Sequence, residues 1–482
     1  MYKFKLAQCT LALSICLAVS SCKVPSLTTN TASTAVPESF GNDKDGIPAD
    51  SSSIAAMPWR TFFKDQNLIN LIDTALKNNQ ELKITLQEIE IARNDIRIKK
   101  GSLLPTVGFR AATGVEKVGR YTSQGAGDAG TEIVPGKAVP DPLMDYNLTA
   151  YAHWEVDIWK KLRNSKKAAL SRYLSSLEGR NFALTNLIAE VADSYYELLA
   201  LDSQLEIVKQ NIQLQKNALE IVKVQKEAAR ATELAVQKFQ AEVLTSKSLE
   251  FDLVQKTKET ENRINFLLGR YPQEIKRDRG DFLNLLPSVV KSGVPSQLLA
   301  NRPDIKQAEL ELSAAKLDVK VARAEFYPAL DISAAIGLQA FKPSYFLKFP
   351  ESLLYSLAGD IAGPLINRNA IKAEFSSANA RQLQAMYNYE RSILNAYLEV
   401  ANQLSKMSNL EKSYGMKSQQ VDALNRSIVV SNDLFKSARV NYFEVLMTQR
   451  DALESKLELI ETKKEQLNAV VHFYRDLGGG WN

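Results

Sequence analysis

Leu76-Lys77-Asn78-Asn79-Gln80-Glu81-Leu82-Lys83 and Leu299-Ala300-Asn301-Arg302-Pro303-Asp304-Ile305-Lys306 align position by position at an offset of 223, which also pairs Pro105 with Pro328. Further along, the offset becomes 209. It pairs Glu190-Val191-Ala192 with Glu399-Val400-Ala401, Ala229-Arg230 with Ala438-Arg439, Val236 with Val445, and Leu268-Gly269 with Leu477-Gly478. Matches in order at two constant offsets mark an internal duplication. The first copy carries the excess residues between Pro105 and about Asp157, and the Gly, Asp and Pro content of residues 123–142 predicts a longer loop there.

Each copy reads as helix, helix, strand, strand, helix, helix. From Lys161 to Ala228, apolar residues recur every seventh position as Leu184, Val191, Leu198, Leu205, Ile212 and Leu219; the second copy repeats this with Ile393, Val400, Met407, Tyr414, Val421 and Ile428. A period of 3.5 residues keeps one seam against a neighbour only if the helices supercoil, so coiled-coil packing is expected. At 1.5 Å per residue such a helix is about 100 Å long, the next one (Thr232 to Leu268) about 55 Å, and that from Gln80 to Lys100 about 30 Å. These lengths predict a rod.

The strands point to a different environment. Residues 147–158, NLTAYAHWEVDI, alternate strictly, with Leu148, Ala150, Ala152, Trp154, Val156 and Ile158 on one face and Asn147, Thr149, Tyr151, His153, Glu155 and Asp157 on the other. Residues 330–339, LDISAAIGLQ, alternate likewise. An apolar outside and a polar inside suit a transmembrane β-barrel, although a half-buried sheet on a soluble core shows the same pattern. The helical context leaves little globular layer for such a sheet to pack on, which favours the membrane. Four strands cannot close a barrel, since about eight are needed, so oligomerisation is expected. Three copies would supply twelve strands.

Composition excludes several functions. Cys9, Cys16 and Cys22 are the only cysteines, and His153 and His472 the only histidines. The body of the chain therefore has no disulfide or cysteine nucleophile and little material for metal or acid–base chemistry, so neither an enzyme nor a metal site is expected. Sixty basic and 55 acidic residues are spread evenly, which argues against a nucleic-acid partner. At the N-terminus Lys3 and Lys5 precede an apolar stretch from Leu11 to Val19 that meets Val19-Ser20-Ser21-Cys22. This pattern resembles a bacterial lipobox, which would place covalent lipid on Cys22; an ordinary secretory signal cut nearby is the alternative. The expected organisation is a signal peptide (1–21), a lipidated tether (22–57), a first repeat (58–270), a linker (271–295), and a second repeat with the C-terminus (296–482).

The duplicated segments, Leu299 to Ile305 reading as L-L-x-x-R-P-D-I, together with Phe326-Tyr327-Pro328 opening a strand and Gly269 and Gly478 closing the second helices, resemble the TolC-like outer-membrane efflux proteins, in particular their lipid-anchored OprM and NodT type. The resemblance implies a mainly α chain with a transmembrane β-barrel portion: a homotrimer whose twelve-stranded barrel continues into a long helical barrel. It also implies a passive outer-membrane conduit serving a periplasmic adaptor and an inner-membrane pump of the resistance-nodulation-division type. A lipidated periplasmic coiled-coil scaffold without a pore and a conduit for polypeptide secretion are the rivals. Where the family often has Gly, this chain has Lys160 and Asn369 after the second and fourth strands and Ala229 and Ala438 at the helix-hairpin tips, and the alanines predict tighter or more helical tips. The family's constriction maps to Asn432, Asp433 and Arg439 as gate candidates, with a solvated helix face as the bland reading of Asp433. Ala229, Arg230, Val236, Ala438, Arg439 and Val445 are candidate adaptor contacts, or else they stabilise the turns. Trp154 and Trp159 are candidates for the interfacial aromatic belt, with core packing as the alternative.

Overall fold

A computed structural model describes residues 31–37, 39–40, 53–280, 282–285, 293–363, 368–437 and 439–481. Contacts divide the chain into two units, one made of residues 90–173 and 310–386, the other of residues 32–89, 174–309 and 387–482. The first copy runs α1 (Gln66–Asn78), α2 (Gln80–Gly101), β1 (Thr106–Glu116), α3 (Ser123–Gly130), β2 (Glu132–Val134), β3 (Lys137–Ala138), β4 (Leu143–Val156), α4 (Lys161–Glu227) and α5 (Glu233–Leu267). The second runs α6 (Pro303–Ala324), β5 (Ala329–Ala340), β6 (Leu353–Ala362), α7 (Asn369–Lys436) and α8 (Tyr442–Asp476), preceded by a short turn of helix at Gln297–Asn301.

In the first unit a four-stranded antiparallel sheet has the order β1-β4-β5-β6. The predicted strand at 147–158 starts earlier and ends at Val156. Asp157 ends it because its carboxylate accepts hydrogen bonds from the Leu162 and Arg163 backbone N–H groups (3.0 and 2.9 Å) and from Arg163 Nε (2.9 Å), which starts α4. Burial opposes the charge on Asp157, but the hydrogen bonds from Arg163 and Leu162 outweigh it and hold the carboxyl below its ordinary range. The segment expected to be a long loop at 123–142 carries structure of its own, α3 and the β2–β3 hairpin. Thr122 caps α3 by accepting from the Gly125 N–H at 3.1 Å. Where α6 and α7 meet the sheet's strands in sequence, Val319, Ala322, Phe326, Phe375 and Ala378 form an apolar cluster, so the Phe of Phe326-Tyr327-Pro328 is a core residue.

In the second unit four of the six heptad positions of α4 are packed as expected, Val191 and Leu198 fully buried and Ile212 and Leu219 nearly so, while Leu184 and Leu205 are half-buried. A second row three residues on, which the sequence reading passed over, completes the seam with Leu187, Ser194, Leu201, Val208, Gln215 and Val222, all buried. Its polar members, Ser194 and Gln215, explain why a search for apolar sevenths misses it. Leu201, Val208, Ile212, Leu253 and Leu453 form one cluster of this unit, uniting α4, α5 and α8.

The duplicated motif builds the same joint twice. Asn79 caps α2 by accepting from the Leu82 N–H (2.9 Å), while its Nδ2 donates to the Leu267 carbonyl (2.9 Å) at the end of α5. Arg302 stands at the equivalent place, and its Nη1 donates to the equivalent carbonyl, that of Asp476 (2.8 Å), at the end of α8. Burial opposes the Arg302 charge, but Asp304, held by two hydrogen bonds (3.0 and 2.7 Å), and Glu399 (2.7 Å) outweigh it and raise the pKa of the guanidinium. Both long helices then close through left-handed glycines, Gly269 (φ +64°) and Gly478 (φ +89°). A Cβ on either would lie 2.6 Å from a backbone oxygen, that of Asn78 or Asn301, so the helix end and the motif fit only if this residue is Gly.

The joint therefore sets opposite signs for two glycine substitutions in the second copy. Gly478→Ala is expected to destabilise by about 2 kcal/mol or more from the left-handed backbone and the contact with Asn301. Gly415→Ala, in open space inside α7, is expected to stabilise by up to about 1 kcal/mol. Thermal unfolding of the detergent-extracted protein, followed by far-ultraviolet circular dichroism, checks both signs.

Candidate functional site: a two-faced sheet and the helix hairpin ends

Register makes the faces of the sheet explicit. Val107, Phe109 and Val115 of β1 lie opposite Ala152, Ala150 and Met144 of β4. Leu148, Ala150, Ala152 and Trp154 of β4 face Leu338, Ile336, Ala334 and Ile332 of β5, and these face Leu353, Tyr355, Leu357 and Gly359 of β6. One side of the sheet is thus continuously apolar, yet Phe109 is 81% and Leu357 79% exposed. The opposite side carries Arg110 with Thr149, Thr106 with His153 and Ser333, and Glu155 with Asp331 and Asp360. His153 lies 3.6 Å from Asp331 on that polar side. A sheet of this kind suits a wall between hydrocarbon and water. Among the described residues, β1 and β6 each have one edge that pairs with no other strand.

Both predicted belt tryptophans lie at the helix-bearing end of this sheet. Trp154 is on the apolar side, half-exposed, with Nε1 donating to the Leu103 carbonyl at 3.1 Å. Trp159 stacks on Tyr327 (4.7 Å between ring centres) and donates Nε1 to the Pro328 carbonyl at 2.7 Å, pinning the Phe326-Tyr327-Pro328 motif while half its surface stays open. Each ring has an apolar body and a satisfied polar tip, the combination favoured where hydrocarbon meets water.

The first hairpin end corrects the expectation of a tighter tip at Ala229; Ala438, at the second, lies outside the described residues. Ala229 takes the left-handed conformation (φ +55°) that Gly takes freely, and the Arg230 N–H reaches back to the Gln225 carbonyl at 2.7 Å. The turn geometry is kept and the alanine bears the strain, because the back-bonded helix end and the Thr232 cap on the Ala235 N–H (3.3 Å) fix the chain on both sides. Lys160, also flagged by its position, is likewise left-handed (φ +62°), whereas Asn369 is the first residue of α7. At the second tip the Arg439 N–H makes the matching bond to the Leu434 carbonyl (2.9 Å), and Asn441 caps α8 on Phe443 and Glu444.

Placement divides the predicted site residues. Val236 and Val445 are not surface: they pack with Leu219, Val222, Ala235, Phe239 and Val243 in the apolar core of the tips. As β-branched residues on the inward stripe of their helices they hold the hairpins together and are unavailable for contact. Ala229, Arg230 and Arg439 are exposed. Asn432 is half-buried and Asp433 exposed; Asp433 pairs with Lys436 one turn on (3.6 Å), not with an arginine. Cys22 and Ala438 lie outside the described residues. Sequence reasoning missed Arg277 in the linker, whose side chain is nearly buried and pins 271–280 to the helices through Asp202 (2.5 and 3.0 Å) and Glu261 (2.8 Å). Among the described residues no helix is long and apolar enough to cross a membrane.

A family model described as outer membrane efflux protein matches residues 71–270 and 294–479. The chain is 27% identical over 440 residues to the solvent efflux pump outer membrane protein SrpC of Pseudomonas putida, covering 91% of each. It is 24% identical to the cation efflux system protein CusC of an Escherichia coli O6:H1 strain, covering 92% of this chain and 93% of that one. Among solved structures, the open state of the Neisseria gonorrhoeae MtrE outer membrane channel shares the fold, with a TM-score of 0.81, 22% identity, and coverage of 95% of this chain and 98% of that one.

Left-handed strain at the first tip has a measurable consequence. Ala229→Gly is expected to relieve about 1 kcal/mol there, which corresponds to roughly fivefold slower hydrogen exchange at the Arg230 amide if that amide opens by local unfolding. Unchanged or faster exchange would mean that the turn is not strained.

Proposed function

The chain belongs to the outer membrane efflux protein family and is an outer-membrane channel protein, and from that premise we propose that it works as a homotrimer, passively, between an adaptor and an inner-membrane pump. The observation that carries this reading is the sheet: an apolar face exposed or half-exposed throughout in one chain, a polar face opposite it, and two edges unpaired among the described residues. Hydrocarbon tolerates such a sheet only when the edges are closed. Three copies joined β1 to β6 supply twelve strands, enough to leave a lumen lined by the polar face, whereas two would supply eight and a lumen filled by side chains. A pore-free scaffold would leave the apolar face facing water, against the size of patch that soluble proteins show.

In this reading covalent lipid on Cys22 anchors the chain beside its barrel, and Ala229, Arg230 and Arg439, exposed at the hairpin ends, meet the adaptor. Asp433 and Asn432 face the passage near its distal end, where three carboxylates make a ring selective for cations. A pump of the resistance-nodulation-division type supplies the energy. SrpC and CusC carry solvent and cation in their names, two unrelated cargoes on one family. Cargo choice therefore belongs to the pump and not to the wall.

Conductance in planar bilayers tests the pore and the gate together. The purified wild-type protein is expected to form cation-selective channels, and Asp433→Asn to reduce that selectivity while leaving oligomer size unchanged. No conductance from a membrane-inserted oligomer would refute the channel, and unaltered selectivity would remove Asp433 from the passage.

A further inference from the structure

All four strands of the sheet join long helices at one end and are linked by hairpin connections at the other, residues 117–142 between β1 and β4 and residues 341–352 between β5 and β6. At the hairpin end the apolar face stops abruptly and lysines follow. Val115 closes the apolar row of β1, and the next position in the same alternation is Lys117. On β5 the row runs through Ile336 and Leu338 to Ala340, and Lys342 follows in the same alternation with an extended backbone (φ −139°, ψ 144°). Pairing of β1 and β5 with β4 puts these two lysines on one rim of the sheet, two strand spacings across and two residues out of step along it, or roughly 12 Å apart.

The second hairpin extends the rim. Its sequence from Phe341 to Ser352, FKPSYFLKFPES, contains two cations, Lys342 and Lys348, and one exposed carboxylate, Glu351, which pairs with neither among the described residues. Leu347 is 79% and Phe349 63% exposed, on either side of Lys348. Among the described residues neither Lys342 nor Lys348 has a carboxylate partner. Their ammonium groups lie instead near aromatic rings, Lys348 at 4.6 Å from the centre of Tyr345 and Lys342 at 5.8 Å from Phe341. Lys117 has only a loose pairing with Asp141 at 3.9 Å.

The geometry points to a binding surface for the phosphate-bearing headgroup of a lipid in the outer leaflet, with Lys342, Lys348 and Lys117 on the phosphates and Leu347 and Phe349 in the acyl region beneath. A hydrocarbon-facing wall that ends in point-charge cations places them at headgroup depth, where an anion is the complementary partner. The ammonium groups of Lys342 and Lys348 lie near the ring faces of Phe341 and Tyr345, an attraction that needs no internal counter-ion. The end of the sheet remote from the helices faces the outer leaflet if the helices are periplasmic, so the occupant is the phosphorylated glycolipid of that leaflet. This inference rests on the outer-membrane location and not on pore formation.

Native mass spectrometry provides the test. The full-length protein is exchanged into nanodiscs of phosphatidylethanolamine containing either diphosphorylated lipid A or the same lipid A with its phosphates removed, then re-extracted and its retained lipid counted. Wild type is expected to retain the phosphorylated form in preference to the other, and K342Q/K348Q to lower that retention about thirtyfold with conductance intact. Equal retention of the two lipids, or undiminished retention by the double variant, overturns the proposal. Two other outcomes also overturn it: dissociation of the variant's oligomer, which would make the hairpin a contact between copies, and altered ion selectivity without loss of lipid, which would put the lysines in the lumen. A wild-type protein that retains phosphorylated lipid but does not conduct would refute the channel and leave the lipid surface standing.

Discussion

A backbone N–H or C=O exposed to hydrocarbon has no water to turn to, and leaving it unpaired costs several kcal/mol. The free edges of β1 and β6 concentrate that demand, because each belongs to a sheet whose other side is polar and whose outer side is a run of Val, Phe, Leu, Ile and Tyr. Such a sheet is stable neither alone in water nor alone in lipid. In the proposed homotrimer, closure with further copies would satisfy both edges and leave the apolar side for the membrane, so that oligomer, barrel and lumen would all follow from one constraint.

The duplicated joint serves the same end by keeping the two copies alike. Asn79 and Arg302 differ in size and charge, yet each donates to the final carbonyl of the long helix in its own copy, and each joint is completed by a left-handed glycine. What differs is the surrounding charge: Arg302 brings in Asp304 and Glu399, whereas the neutral Asn79 needs no such partners. The scaffold is thus repeated while its electrostatics are not. Departures from repeat symmetry gather elsewhere too, in the inserted α3 and β2–β3 segment and in the pairing of Asp433 with Lys436.

Much of this was legible in the sequence because it depends on period. Heptads in α4 and alternation in β4 and β5 report which side of an element is buried, and self-alignment located the joint before its hydrogen bonds were known. Three things were hidden for physical reasons. Gln215 and Ser194 complete a buried seam but look like surface residues. Val236 and Val445 match as repeats and read equally as adaptor contacts or as turn stabilisers; three places inside their helix starts, they prove to be the second, packed in the core of the tips. Ala229 reads as a residue that avoids left-handed geometry, yet a helix end bonded on both sides forces it there. The gate candidates depend on neighbouring chains, which no single-chain pattern encodes.

Disulfide trapping addresses closure most directly, since the chain has no cysteine beyond Cys22 and an introduced pair is easily read. One cysteine would be placed on the free edge of β1, scanned from Thr106 to Arg110, and the other on the free edge of β6, scanned from Tyr355 to Ile361, and membranes would be oxidised before denaturing electrophoresis. The account predicts that at least one register gives a covalent ladder ending at three chains. Complete absence of β1–β6 cross-links across the scan, in protein that is correctly inserted, would contradict it.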